Sequence, residues 1–290
     1  MTYDRRVLKL DANTVTAAHR KVFAPLRKLS DAENSAAYTV AYWRFENGQP
    51  GQLLAHDRKK RDGVAAIDVT GHGNHVYAFA RANAPRHSQD VPVSQVPRLG
   101  LLNQGSLDDT AKITGPTRDL FTDPKRSRTH MNALNTYPFN QWTIELSVNP
   151  LELGRTQTLL GKDGRPTTHD NAPLQVQIGA DNRITVVAID VTNTVRSVAS
   201  CQAVEAGRWY HVVAVSDGST LRLLIKRRRV YEEQQSTEFI GPLASHDGTW
   251  TIGRGFHNGK LAFDARAFID EVRVSAIALP IKLLLWQDPS

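Results

Sequence analysis

From Tyr38 onward the chain reads as short β-branched and aromatic runs separated by Gly, Asn, Asp and Pro, the pattern of strands joined by turns. The runs predict strands over 39–45, 75–79, 142–148, 157–161, 174–178, 184–190, 209–216, 221–226, 250–253 and 267–275. Several alternate cleanly. In 221–226, Leu221, Leu223 and Ile225 share one face and Arg222, Leu224 and Lys226 the other, so one face meets a core and the other is mostly wet, as antiparallel sheets allow. Asp217-Gly218 supplies the positive-φ position that a hairpin between 209–216 and 221–226 needs. Many strands and hairpin turns predict an all-β fold, a two-sheet antiparallel sandwich or jelly roll.

Two segments break this pattern. Over 13–29 the apolar Val15, Ala18, Val22, Leu26 and Leu29 recur at helical spacing, with Asn13 or Thr14 placed to cap the start and Pro25 placed to bend or end the helix. Residues 1–37 are therefore expected to form a basic N-terminal extension with one amphipathic helix, whose apolar face packs on the sandwich or docks a partner protein or a membrane surface. Residues 80–138 are rich in Pro, Asn, Asp and Arg and are expected to form a loop-rich elaboration at one end of a sandwich spanning 38–280, with 281–290 as a tail.

Composition narrows the classes. With 290 residues, 40% of them hydrophobic, the chain can bury a full core as one main domain, since sandwiches reach about 250 residues. The single cysteine, Cys201, excludes an internal disulfide, and no Cys/His cluster has zinc spacing. No stretch approaches the roughly 20 apolar residues of a membrane span, and the N-terminus lacks a secretory apolar region. Compartment stays open. The net charge is +7, and residues 1–37 hold seven Lys/Arg against four Asp/Glu. Two basic runs, 58–61 and Lys226-Arg227-Arg228-Arg229, could attract phosphate, sulfate or uronate groups. A polyanion is thus a candidate partner, whereas nothing points to a specific nucleic acid.

Five segments resemble the laminin-G-like jelly-roll domains of the concanavalin A-like lectin/glucanase superfamily. They are Ala41-Tyr42-Trp43-Arg44-Phe45-Glu46, the turn Asp68-Val69-Thr70-Gly71-His72-Gly73-Asn74, the strand Trp142-Thr143-Ile144-Glu145-Leu146-Ser147-Val148, Gly207-Arg208-Trp209-Tyr210-His211-Val212-Val213-Ala214-Val215, and the closing Phe268-Ile269-Asp270-Glu271-Val272-Arg273-Val274. They stand in the family's order over 38–280. Lys226-Arg227-Arg228-Arg229 departs from it where the family usually has an Asp-Gly hairpin, and Ala267 where it often has Gly. The resemblance implies the sandwich and a mostly extracellular setting. It does not imply one activity, because the fold hosts lectins, glycosidases, lyases and adhesion domains.

Site chemistry then has to decide. Glycosidases of this superfamily place paired carboxylates at alternate positions of one strand, but Glu145 is followed by Ser147 and Pro150 and stands alone. The lyases use Arg, Gln, His and Tyr on one sheet face, for which Gln175, Gln177 and His211 are the nearest candidates. No nucleophile elbow, His-Glu-x-x-His or phosphate loop occurs. The resemblance also implies calcium near the first turn and the closing strand, where Asp68, Asn74 and Asp270 match and Glu46 offers a fourth oxygen; alternatively Asp68 and Asn74 form turn hydrogen bonds. Sugar binding needs an aromatic platform beside hydrogen-bonding groups. The candidates are Tyr231, Phe256 and His257, with Arg165, His169 and Asp170 for polar contacts, while Trp43, Trp142 and Trp209 are assigned to the core. The reading is a non-catalytic carbohydrate-binding domain, for an acidic glycan given the basic run. The alternatives are a hydrolase or lyase on the same fold and a protein-interaction domain.

Overall fold

The computed structural model describes residues 38–54, 64–78, 85–92, 100–104, 120–122, 133–163, 171–227, 230–244, 248–258 and 260–285. The helix expected over 13–29, the basic run 58–61, Arg165, His169, Asp170, Arg228 and Arg229 lie outside the described residues.

Strands run in the order β1 (Thr39–Trp43), β2 (Val76–Tyr77), β3 (Arg86–Ser88), β4 (Gly100–Gln104), β5 (Leu120–Thr122), β6 (Trp142–Pro150), β7 (Gln157–Lys162), β8 (Leu174–Ile178) and β9 (Arg183–Ile189). They continue with β10 (Val195–Ala203), β11 (Tyr210–Ser216), β12 (Thr220–Arg227), β13 (Val230–Glu238), β14 (Trp250–Ile252), β15 (Gly255–His257), β16 (Lys260–Ala262) and β17 (Arg266–Ser275). One helical turn, α1 (Ala133–Thr136), precedes β6, and a 3₁₀ turn at Ile281–Leu283 follows β17. An eight-stranded sheet has the order β13-β12-β11-β6-β17-β4-β3 with β1 also paired to β17, and a seven-stranded sheet has the order β10-β9-β8-β7-β14-β5-β2. Every strand pairing is antiparallel.

The alternation of apolar residues explains the packing. Trp142, Ile144, Leu146 and Val148 of β6, Val212 and Ala214 of β11, and Leu221, Leu223 and Ile225 of β12 pack in one core with Leu174, Val176, Ile178, Ile184 and Val186 of the opposite sheet. Along a strand successive side chains point to opposite faces, so one apolar set fills the space between the sheets. All ten expected strands form. The Asp217–Gly218 turn also forms, with Gly218 at φ 89 and Asp217 Oδ1 accepting the backbone N–H groups of Ser219 and Thr220.

Three features differ from the expectation. Among the described residues of 80–138, Arg86–Ser88 and Gly100–Gln104 add β3 and β4 to one sheet and Leu120–Thr122 adds β5 to the other. The same region contributes α1, tied down by the buried Lys162, whose ammonium donates to Asn135 O at 2.8 Å and Gly248 O at 3.1 Å. Second, β10 and β13 were invisible to an apolar pattern because their exposed positions carry Ser, Gln and Glu on both faces. They close one side of the sandwich: Gln235 Oε1 accepts Ala199 N at 2.7 Å and Gln234 Oε1 accepts Cys201 N at 3.2 Å. These glutamines satisfy edge amides that would otherwise recruit another strand. Third, Trp209 is only half-buried and faces away from the core, whereas Trp43, Trp142 and Trp250 are 0–1% exposed.

The central strand carries the stability. Leu146→Ala, emptying a fully buried site of β6, is expected to cost about 2–5 kcal/mol in denaturant unfolding. Glu233→Ala on the exposed strand β13 should stay within about 0.5 kcal/mol.

Candidate functional site

β6 is buried on both faces. With its even-numbered residues in the core, Thr143, Glu145, Ser147 and Asn149 face outward, and the register places His211 and Asp270 on either side of Ser147. One step along, Asn149 is paired with Phe268, and Trp209, preceding the Tyr210–Val148 pair, stands on its other side. The outer face of the eight-stranded sheet therefore carries a Trp209–Asn149–Phe268 row beside a His211–Ser147–Asp270 row.

The first row makes a small aromatic platform. The Trp209 and Phe268 rings lie 6.4 Å apart and tilted by 36°. The Trp209 indole N–H donates to Asp90 Oδ1 at 3.0 Å, so the chain after β3 reaches back over the sheet to fix the ring. Asn149, between the two aromatics, is 4% exposed and its Oδ1 accepts no hydrogen bond among the described residues. A buried polar atom left in that state costs about 1–3 kcal/mol.

Farther along β6 the same face is closed by residues 277–285. Leu279 and Leu284 pack with Val213, Val215 and Leu224. Thr143 Oγ1 donates to Ile277 O and accepts Leu279 N, each at 2.8 Å. Glu145 accepts Arg273 Nε at 2.6 Å and Leu285 N at 2.6 Å, and the Arg273 guanidinium also donates to Leu283 O at 2.8 Å. The Tyr231 hydroxyl donates to Leu285 O, and burial, with the Glu145 charge next, pushes its ionisation upward. Ser147 Oγ is 2.8 Å from His211 Nδ1, and His211 Nε2 is 3.6 Å from Glu145 Oε1. Burial pulls the His211 imidazole below its ordinary value against the opposing pull of Glu145, keeping it neutral. Serine, histidine and glutamate thus meet in sequence, but Ser147 is 1% exposed and Glu145 is committed to Arg273 and the C-terminal segment. The group is a structural network.

Among the described residues, the candidate ligand-binding residues Tyr231, Phe256 and His257 lie on opposite sheets. Tyr231 lies on the eight-stranded sheet with its ring edge-on to His211. Phe256 and His257 sit on the β15–β16 hairpin, which lies against β7 of the opposite sheet. There Gln175 donates to Phe256 O at 2.5 Å and Gln177 to Thr158 Oγ1 at 3.0 Å. Gln175 and Gln177 are thus on the other outer face from His211, and the expected lyase grouping is split by the thickness of the sandwich. Asn171, just after Arg165, His169 and Asp170, bridges to His257.

The proposed metal ligands are spent otherwise. Asp68 Oδ1 accepts Tyr42 N, Thr70 N and Thr70 Oγ1, and Oδ2 accepts Asn74 N. Asn74 donates to Val40 O and its Oδ1 accepts Leu134 N, while Glu46 pairs with Arg44 at 2.9 Å. Among the described residues no group of three or more His, Cys, Asp or Glu could hold a metal ion. As placed, Asp68 and Asn74 have their side-chain oxygens on N–H and O–H donors, which favours turn formation over metal ligation, and Asp270 Oδ1 accepts Glu271 N at 2.8 Å. The turn is a clasp: Trp43 Nε1 donates to Asn74 O at 2.8 Å and fastens it to β1.

Of the basic run, Lys226 pairs with His211 and Arg227 with Val230. That register puts Lys226 and Arg227 at the same end of the sheet as Trp209. Trp209 could have been found from sequence: it shares parity with His211 and Val213, which face outward, whereas Tyr210, Val212 and Ala214 pack on the core.

A two-sheet antiparallel sandwich with a face of this kind defines the jelly-roll class. Residues 126–280, just over half of the chain, match the family described as the concanavalin A-like lectin/glucanases superfamily, and the chain belongs to that family. No curated protein sequence matches it. Among solved structures, the binding domain of Paraclostridial Mosquitocidal Protein 1 aligns with TM-score 0.54 and 9% identity over 86% of this chain and 51% of that one. The binding domain of botulinum neurotoxin serotype G aligns with TM-score 0.53 and 12% identity over 84% and 49%. A Trypanosoma rangeli sialidase in complex with sialic acid aligns with TM-score 0.52 and 15% identity over 85% and 32%. At these identities the likeness is one of fold, and this chain spans about half the length of the two toxin domains.

Glu271 gives this face a pH dependence. It occupies a bulge of β17 at φ 52, accepts the Tyr42 hydroxyl, and lies 3.4 Å from Arg44 Nε. Burial raises its carboxyl from 4.5 to about 7, against the opposing charge of Arg273. The folded state therefore holds this proton more tightly than the unfolded one. The resulting stability is full below about pH 4.5 and is lost as pH rises through about 7. Relative to Glu271→Gln, the wild-type protein should lose roughly 3 kcal/mol between pH 4.5 and 8, read from denaturant midpoints at both pH values. Parallel curves for the two proteins would contradict this.

Proposed function

We propose that this protein is a non-catalytic carbohydrate-binding domain whose site is the outer face of the eight-stranded sheet around Trp209. The observation that carries the reading is the Trp209–Asn149–Phe268 row, a half-buried aromatic ring beside a buried amide oxygen with hydrogen-bonding capacity to spare. A pyranose offers an apolar C–H face to a ring and hydroxyls to polar partners, so it matches both halves of the row. Membership of a lectin and glucanase superfamily supports the class, and the sialidase neighbour, solved with an acidic sugar, is compatible with it.

The finer reading is an acidic glycan, favoured by the basic sequence 226–229, whose described members Lys226 and Arg227 lie at the platform's end of the sheet. Its charge would draw a carboxylate or sulfate toward one end of a sugar stacked on Trp209, without a fixed geometry.

On a glycan array, Trp209→Ala should weaken every bound glycan by at least about tenfold, whereas Phe256→Ala on the opposite sheet should leave the pattern unchanged. The reverse result moves the site to the β15–β16 hairpin. Retention on heparin should fall steeply with salt, because exposed charges are screened within about 8 Å at physiological ionic strength, and replacing Arg227, Arg228 and Arg229 by serine should abolish it. Salt-independent retention would remove the acidic-glycan reading while leaving the platform intact.

A further inference from the structure

On the face just assigned to carbohydrate, the four outward residues of β6 differ in one respect. Thr143 bonds Ile277 and Leu279, Glu145 bonds Arg273 and Leu285, and Ser147 bonds His211. Asn149 alone among them keeps a buried side-chain oxygen that accepts nothing among the described residues. Such groups are rare in folded proteins, and each needs a reason. Its neighbours in the row do not supply one: Phe268 has no polar atom, and the Trp209 indole N–H is turned to Asp90.

We propose that Asn149 is the specificity-determining residue of this face, its side-chain oxygen taking a hydroxyl or amide N–H from the edge of a pyranose that lies on Trp209. The inference rests on the carbohydrate reading and goes further by naming the group the sugar must present. An acceptor oxygen selects a donor, and the Asp90 carboxylate bonded to the neighbouring Trp209 disfavours an anion nearby. An acidic sugar would have to direct its charged group away from Asn149 and Asp90, toward the Lys226 side. A site built to bond a donor rejects the analogue that lacks it far more strongly than an apolar contact rejects a missing methylene, since the buried acceptor is then left bare.

The test uses the full chain and the methyl β-glycosides of glucose, galactose, N-acetylglucosamine and glucuronic acid, titrated by calorimetry, followed by the monodeoxy forms of each that binds. One deoxy position should cost the wild-type protein about tenfold or more in affinity and should cost Asn149→Leu nothing beyond what that variant has already lost. Thermal melting checks that Asn149→Leu is folded, which replacement of an unsatisfied amide by an apolar group of similar size favours. Equal discrimination by wild type and Asn149→Leu overturns the role of Asn149 while leaving the platform standing, provided that Trp209→Ala still loses binding. Binding that survives Trp209→Ala, or no binding of any of the four glycosides, overturns this inference and the carbohydrate reading together.

Discussion

The structure depends on a central strand, β6, that is buried on both faces. A strand at the middle of a sandwich normally has one dry and one wet face, so its alternate residues can be polar without penalty. Here the outward face is covered as well, by the C-terminal segment over Thr143 and Glu145 and by the aromatics beside Asn149. Every outward polar group on it must then find a partner inside the protein. That requirement explains Arg273 opposite Glu145, His211 opposite Ser147, and the backbone of 277–285 bonded to Thr143, Glu145, Arg273 and Tyr231. It also makes Asn149 stand out, since the rule that accounts for its three neighbours leaves its oxygen unaccounted for.

The same constraint separates structure from chemistry. Ser147, His211 and Glu145 have the composition of a catalytic group, and Tyr231 and Arg273 lie close by, yet each is bonded to another part of the fold and sealed under 277–285. A carboxylate that accepts a guanidinium and a backbone amide is fixed in one place, which suits a structural pin. The Asp68–Asn74 turn follows the same logic, because four donors from the protein occupy the carboxylate that the resemblance offered to calcium.

The fold was legible because the core strands are apolar at period two and carry the segments typical of the superfamily. All ten strands recognised from that periodicity form. Strands β10 and β13 were not legible, since an edge strand whose amides are met by Gln234 and Gln235 needs no apolar face. Strands β3, β4 and β5 were hidden by the prolines around them and by their lengths of 3, 5 and 3 residues. The site was less legible. Tyr231 and Phe256 look equivalent in sequence, and only the sheet order reveals that they belong to opposite faces. Trp209 looked like a core residue because it opens a core strand, although its parity with His211 and Val213 marks it as outward-facing. The partnership of Trp209 with Asp90 spans 119 residues, a separation at which sequence pattern carries no signal.

Under the proposed function a sugar sits on the outer face of the eight-stranded sheet, at Trp209. Of the 5 tryptophans in the chain, Trp209 is the one whose indole N–H is held by Asp90 at a half-buried position, while Trp43, Trp142 and Trp250 are enclosed. The indole N–H resonances in a heteronuclear NMR spectrum, recorded as an array-selected oligosaccharide is added, therefore read the site directly. The Trp209 resonance is expected to move with saturating oligosaccharide while those of Trp43, Trp142 and Trp250 stay in place. A Trp209 resonance that does not move, with shifts confined to Phe256, His257 and their neighbours on the opposite sheet, would contradict that reading.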